Sequence, residues 1–183
     1  GADDNGSGTV GIMTLAKAFM ATGEQPEKTL VFCAWTGEEK GLLGSRYFSD
    51  HPYNDSKILM NLNYDMISRD NTNDTMGNMC TMNYTRAYGI FEELAAKNVS
   101  EYGLNLDIRF RPSDRPGGGS DHASFSRKDI PVIYFEAGFP PQYHQPDDHT
   151  ELVNWEKMTN IIKIGYLNIW DLATTEWGPA EED

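Results

Sequence analysis

Apolar residues fall at helical spacing between Gly8 and Met20. Val10, Ile12, Met13, Leu15, Ala16 and Phe19 recur there, and the pattern predicts a helix. Asn5-Gly6-Ser7-Gly8 leads into it and offers Ser7 as a capping residue. From Thr29 to Trp35 the pattern changes to a short, continuously apolar run, TLVFCAW, which predicts a strand buried on both faces. Gly41 to Phe48 predicts a short helix, and Ile58 to Met66 a second strand. Residues 70–83 are polar and turn-rich and read as a loop. Tyr88 to Tyr102 is an amphipathic helix, Leu106 to Arg111 alternates as a strand does, and Arg111 to Gly119 is dense in Pro and Gly and predicts a loop. Asp121 to Arg127 predicts a short helix, Pro131 to Ala137 a buried strand, and Trp155 to Trp177 a long closing helix.

Helices and strands that alternate in this way imply an α/β fold with a largely parallel sheet flanked by helices. In such folds ligands sit beyond the C-terminal ends of strands, where the connecting loops converge. The acidic and histidine residues just past the predicted strand ends are therefore the ones to inspect. Glu38 and Glu39 follow the first strand, Asp65 ends the second, and His144 follows the last.

The chain has 183 residues, enough for one domain over positions 1–183, and it shows no internal repeat. Its formal net charge is −13, which repels phosphate backbones and anionic lipid and argues against nucleic-acid and membrane-surface partners. The same charge suits cations, whether metal ions or the free amino group of a peptide; simple solubility is the plainer explanation. No apolar run approaches the roughly 20 residues of a membrane span. Gly1-Ala2-Asp3-Asp4 has neither the basic nor the apolar part of a signal peptide. Only Cys33 and Cys80 are present. Cys33 lies inside the apolar run and is expected to be a buried core thiol, with a disulfide to Cys80 left open.

Zinc takes carboxylate oxygens and imidazole nitrogens, and a catalytic site needs about three protein ligands plus an open position for water. Four segments could supply them: Asp3-Asp4-Asn5-Gly6, Gly37-Glu38-Glu39-Lys40, Asn63-Tyr64-Asp65-Met66 and Tyr143-His144-Gln145-Pro146. Each alone has an ordinary explanation as a turn, a helix cap, a dipole partner or a solvated loop. Together, in this order and at strand ends, they form a pattern that those explanations do not cover.

GADDNGSG, WTGEEKGLLGSRYF, NLNYDM, GGGSDHASF and YHQPDDH resemble the successive motifs of the co-catalytic zinc exopeptidases. That family includes leucine-type aminopeptidases, glutamate carboxypeptidase, glutaminyl cyclase and the transferrin-receptor ectodomain. The resemblance runs from Gly1 to about His149 and implies a three-layer α/β/α sandwich with a mostly parallel, mixed central sheet. It implies that Asp4 bridges two zinc ions, that the Asp4-Asn5 peptide is a candidate cis bond, and that Asp3 is a neighbour rather than a ligand. Glu39 and His144 complete one metal site with Asp4, and Asp65 belongs to the other. Glu38 is then the general base, which takes a proton from the attacking water and passes it to the leaving amine. His122 matches a family motif but not as a ligand, and Asp121 beside it is expected to support the site or face the substrate. His51 is expected in a surface turn and His149 in a loop.

The family draws a further histidine and aspartate from a His-x-Asp motif that precedes the segment matched here, along with its first strands. The sequence is accordingly read as the C-terminal two-thirds of such a domain, and on that reading it binds at most about one zinc tightly. A bared sheet edge would favour self-association. The resemblance implies a secreted or periplasmic aminopeptidase acting on peptides. A glutaminyl-cyclase-like acyl transferase with a single zinc is the second reading, and a non-catalytic, receptor-like binding domain the third. Arg115 is weighed both as a reader of a substrate carboxylate and as part of a mobile surface loop.

Overall fold

The computed structural model describes residues 1–179. Four strands form one open sheet in the order β1 (Asn61–Tyr64), β4 (Val132–Glu136), β2 (Met79–Thr85), β3 (Asp107–Ser113). β1 runs parallel to β4 and β2 parallel to β3, while β2 and β4 are antiparallel, so the sheet is mixed. The helices are α1 (Gly8–Thr22), α2 (Leu43–Asp50), α3 (Ile90–Glu101), α4 (His122–Ser126) and α5 (Trp155–Ala173).

Successive strand residues point to opposite faces, and this alternation separates the helix layers. Ile133 and Phe135 of β4 join Met82, Tyr84, Phe91, Ile161 and Ile164 in a core shared with α1, α3 and α5. Tyr134, between them, faces the other way and stacks on His122 of α4 at 4.3 Å. α2 packs on α4 on that second side, where Trp35, Phe48 and Phe125 form an aromatic cluster. The result is the α/β/α arrangement that the family resemblance implied.

Several boundaries differ from the sequence reading. Thr29 to Trp35 is no strand: it is irregular, and among the described residues none of its backbone groups makes a backbone hydrogen bond. Val31 and Phe32 stay exposed within it. An apolar run becomes a strand only when a neighbour completes its ladder, and none lies beside it here. Cys33 is accordingly half-buried rather than a core thiol, whereas Cys80 is buried in β2, and both are free. Conversely, the second half of the polar stretch 70–83 opens β2, with Cys80, Met82 and Tyr84 facing the core and Thr81, Asn83 and Thr85 turned away. The predicted strand Ile58 to Met66 keeps only its centre as β1. The expected loop from Arg111 begins as the end of β3, with Pro112 tolerated because β3 is an edge strand. α5 stops at Ala173, short of Trp177. Ser7 does not cap α1 with its hydroxyl; the Gly8 N–H donates to Asn5 Oδ1 instead, at 2.9 Å.

Candidate metal centre

Asp4 sits in a tight turn, Ala2–Ser7, whose backbone leaves helical geometry at Asp4 and Asn5, and the Asp4-Asn5 peptide is cis. Asn5 ties this turn to the sheet, because its Nδ2 donates to the Tyr64 carbonyl at 3.0 Å. Gly8 allows the close approach: a Cβ there would lie 2.3 Å from the Tyr64 carbonyl oxygen. Asp3 is buried, and its Oδ1 accepts from the Ser68 N–H at 2.9 Å and the Ser68 hydroxyl at 2.8 Å. It is engaged internally, while Asp4 faces outward.

Glu38 and Glu39 lie on a short 3-10 turn bracketed by Gly37 and Gly41, both at positive φ, which glycine adopts without steric cost. His144 presents its imidazole from the loop after β4. Its Nε2 lies 3.2 Å from Asp4 Oδ2 and 3.1 Å from Glu39 Oε1. One donor atom from each of Asp4, Glu39 and His144 falls within 4.8 Å of the other two. These residues come from three separate segments, and the Tyr143 ring stacks on that of His144 at 3.8 Å.

Asp65 directly follows β1 and lines the same cleft as Asp4 and Glu39, but it is not one of the three. It is buried, and its Oδ2 accepts from the Ser120 hydroxyl at 2.6 Å, while Ser120 accepts from Asn63 Nδ2 at 2.8 Å. Its Oδ1 is buried without a partner. Burial pushes the Asp65 carboxyl up to about 7 against the lowering effect of Ser120, and the charges of Asp4, Glu38 and Asp121 add to the rise. Asp121, just ahead of α4, is likewise buried with Oδ1 unpartnered, and burial raises its pKa. Burial also raises Glu38, helped by the nearby charges of Glu39, Asp121 and Asp4. Asp4 is raised by burial and then by Glu39, with His144 acting in the other direction.

The donor set fits a divalent cation on these observations. Carboxylate oxygens and one imidazole nitrogen converge, an orphaned carboxylate oxygen of Asp65 lies in the same cleft, and Asp4, Glu38, Asp65 and Asp121 crowd together there. That cleft, about 960 Å³, is lined by Asp4, Glu38, Glu39, Asp65 and Asp121 and extends along apolar residues of the 29–35 segment and β1.

Other sequence candidates sit elsewhere. His122 is buried against Tyr134, His51 stacks on Tyr47 at the surface, and His149 lies in the loop after Asp148. Arg115 is exposed and paired with Asp129. Sequence reasoning gave no role to Asp148, Arg69 or Ser120. Asp148 accepts from the backbone N–H groups of Asp3 and Asp4 at 3.0–3.1 Å and pairs with buried Arg69. Burial would raise its pKa, but Arg69 and those N–H donors hold it below the usual carboxylate range. Asp148 lies within the YHQPDDH motif and Ser120 within GGGSDHASF, so position was the available signal; only contacts reveal what they do.

A mixed α/β sheet whose loops gather carboxylates and an imidazole over one cleft defines an α/β protein with a candidate metal centre at its strand ends. Residues 1–167 match the model of peptidase family M28, and the chain belongs to that family. Leucine aminopeptidase 2 of Arthroderma otae is 35% identical over 138 residues, which cover 72% of this chain and 26% of that protein. LapA of Legionella pneumophila superposes with a TM-score of 0.82 at 26% identity, over 96% of this chain and 49% of that one. BSAP, a zinc aminopeptidase from Bacillus subtilis, shares the fold with a TM-score of 0.76 at 24% identity, over 97% of this chain and 43% of that one. The chain thus spans about half the length of these solved structures and about a quarter of the curated relative.

Proposed function

We propose that this chain carries the centre of a metal-dependent aminopeptidase that releases N-terminal residues from peptides. The observation that carries the reading is the convergence of Asp4, Glu39 and His144 with Glu38 adjacent in sequence. Asp4, Glu39 and His144 would hold one zinc ion, and Asp65, with its orphaned oxygen, would belong to a second. Bound there, zinc supplies Lewis-acid charge that acidifies water and polarises a scissile carbonyl.

The chain's own residues do the rest. The acidic cleft attracts the protonated amino end of a peptide and favours exopeptidase over endopeptidase action. Glu38 accepts a proton as water oxygen bonds to the carbonyl carbon. It then delivers that proton to the amine nitrogen as the C–N bond breaks. Its raised pKa makes it a better proton acceptor than an ordinary surface glutamate. An exported location belongs to the same reading. So does a second copy of the chain as a partner, since the outer edge of β1 has no neighbour among the described residues. Light scattering would return a plain monomer if that edge were inert.

The decisive experiment pairs metal analysis with a leucyl chromogenic substrate. The 183-residue chain should hold about one zinc tightly, and His144→Ala should lose it. In the activity-bearing protein Glu38→Gln should lower kcat by about 10²–10⁴ with zinc still bound. A Glu38→Gln variant with unchanged turnover would remove the general base from this account.

A further inference from the structure

Asp4, Glu39 and His144 all sit on loops or short turns, so something must hold Asp4 opposite His144. Asp148 does this from the same loop that carries His144. Its carboxylate accepts from the Asp3 N–H through both oxygens, at 3.1 and 3.0 Å, and from the Asp4 N–H at 3.0 Å. Its carbonyl accepts from the Ala2 N–H at 3.0 Å. Arg69 Nη2 donates to the Asp148 carboxylate and to the His149 carbonyl, the latter at 2.8 Å. Both side chains are buried, 3% and 6% exposed.

Arg69 is anchored in turn. Its carbonyl accepts from Lys157 Nζ at 3.0 Å, and Lys157, buried in α5, pairs with Asp70 and Asp74. A continuous set of charge-assisted contacts therefore runs from the closing helix to the backbone of Asp4. Buried ion pairs add little net stability, because desolvation cancels much of their attraction. Stability alone therefore does not account for this one. What the Asp148 carboxylate does that an apolar pair could not is accept from the Asp3 and Asp4 N–H groups at once and fix where the Asp4 side chain begins.

We propose that Asp148, clamped by Arg69, is a positioning residue that sets the Asp4 carboxylate opposite the His144 imidazole and so preforms the gap for a cation. The proposal rests on the metal-centre reading given above. Its physical basis is that ligands ordered before binding lose less conformational entropy when the ion arrives.

The test is the zinc affinity of the 183-residue chain, read by competition with a chromophoric chelator. The unmodified chain is compared with Asp148→Asn, Arg69→Lys and the core variant Phe91→Leu. Asp148→Asn should weaken zinc by about 10–100-fold, the range for residues that orient metal ligands, and Arg69→Lys by a smaller factor. Phe91→Leu removes ring atoms from the fully buried core and touches no member of this network; it should lower Tm and leave zinc affinity unchanged. Should Asp148→Asn fail to fold, Arg69→Lys decides by the same comparison. Zinc held as tightly by the clamp variants as by the unmodified chain overturns the proposal. Equal weakening in Phe91→Leu also overturns it, since the effect would then be general loosening. An unmodified chain that binds no zinc instead overturns the metal-centre reading, a result visible before any variant is compared.

Discussion

The segment Leu30–Trp35 and the strand β2 make an instructive pair. The first is a continuously apolar run, yet it forms no ladder and leaves Phe32 41% exposed. The second alternates with Thr81, Asn83 and Thr85, yet it is a regular strand with Met82 fully buried. The difference is company. β2 lies between β3 and β4 and hydrogen-bonds to both, while the 29–35 segment borders the open cleft. Strand formation is a property of a set of segments, because each strand's polar backbone must be satisfied by another. The candidate centre straddles the two regimes. Glu38 and Glu39 follow the unpaired segment, whereas Asp65 directly follows a strand of the sheet and His144 and Asp121 follow or precede packed elements.

The sharpest way to break this comparison is hydrogen exchange. Backbone N–H groups of residues 80–84 should exchange about a thousandfold or more slowly than those of residues 30–35, since core strands open only near global unfolding. Comparable rates would mean that the apolar run is held as firmly as the sheet. Side-chain truncation gives the next largest effect. Phe135→Ala, at a fully buried position in β4, should cost about 3–5 kcal/mol. Phe32→Ala should cost less than about 1 kcal/mol, because much of that ring is already in water. Urea denaturation of the two variants measures both, and near-equal losses would erase the distinction.

A smaller effect tests how dry the packed side is. Burial holds the His122 imidazole down to about 4, against 6.5 when unperturbed. The unfolded chain therefore takes up this proton first as pH falls, so the stability that neutral His122 maintains above about pH 6.5 drains away towards pH 4. His122→Phe keeps a ring against Tyr134 and cannot protonate. Its stability relative to the unmodified chain should improve by on the order of 2 kcal/mol between pH 7 and pH 4.5. A difference independent of pH would place water beside the imidazole.

The helices, the candidate chemistry and the strands β1, β3 and β4 were legible along the chain, whereas β2 was not and the run from Thr29 to Trp35 misled. α1 and α3 announced themselves because a helix satisfies its own backbone within a few residues and stamps its period on the local sequence. Asp4, Glu38, Glu39, Asp65 and His144 stood out because acidic and imidazole groups recur in loops and at predicted strand ends in an order that resembles the family's motifs, and the same resemblance singled out Asp121. The roles of Ser120, Asp148 and Arg69 were hidden, since a hydrogen bond between residues far apart in sequence leaves no periodic trace. His122 looked like a motif residue, and only its stacking on Tyr134 shows what holds it.

By itself, then, the amino-acid order determined which segments could coil and which side chains could bind a cation, because both follow from local covalent geometry and functional-group chemistry. Tertiary structure decided which apolar run became a strand, which carboxylates shared a cleft, and which residue braces Asp4. Those outcomes depend on partners that meet only when the chain closes, where a backbone group or a buried charge is stabilised by what lies across from it rather than by what lies next to it.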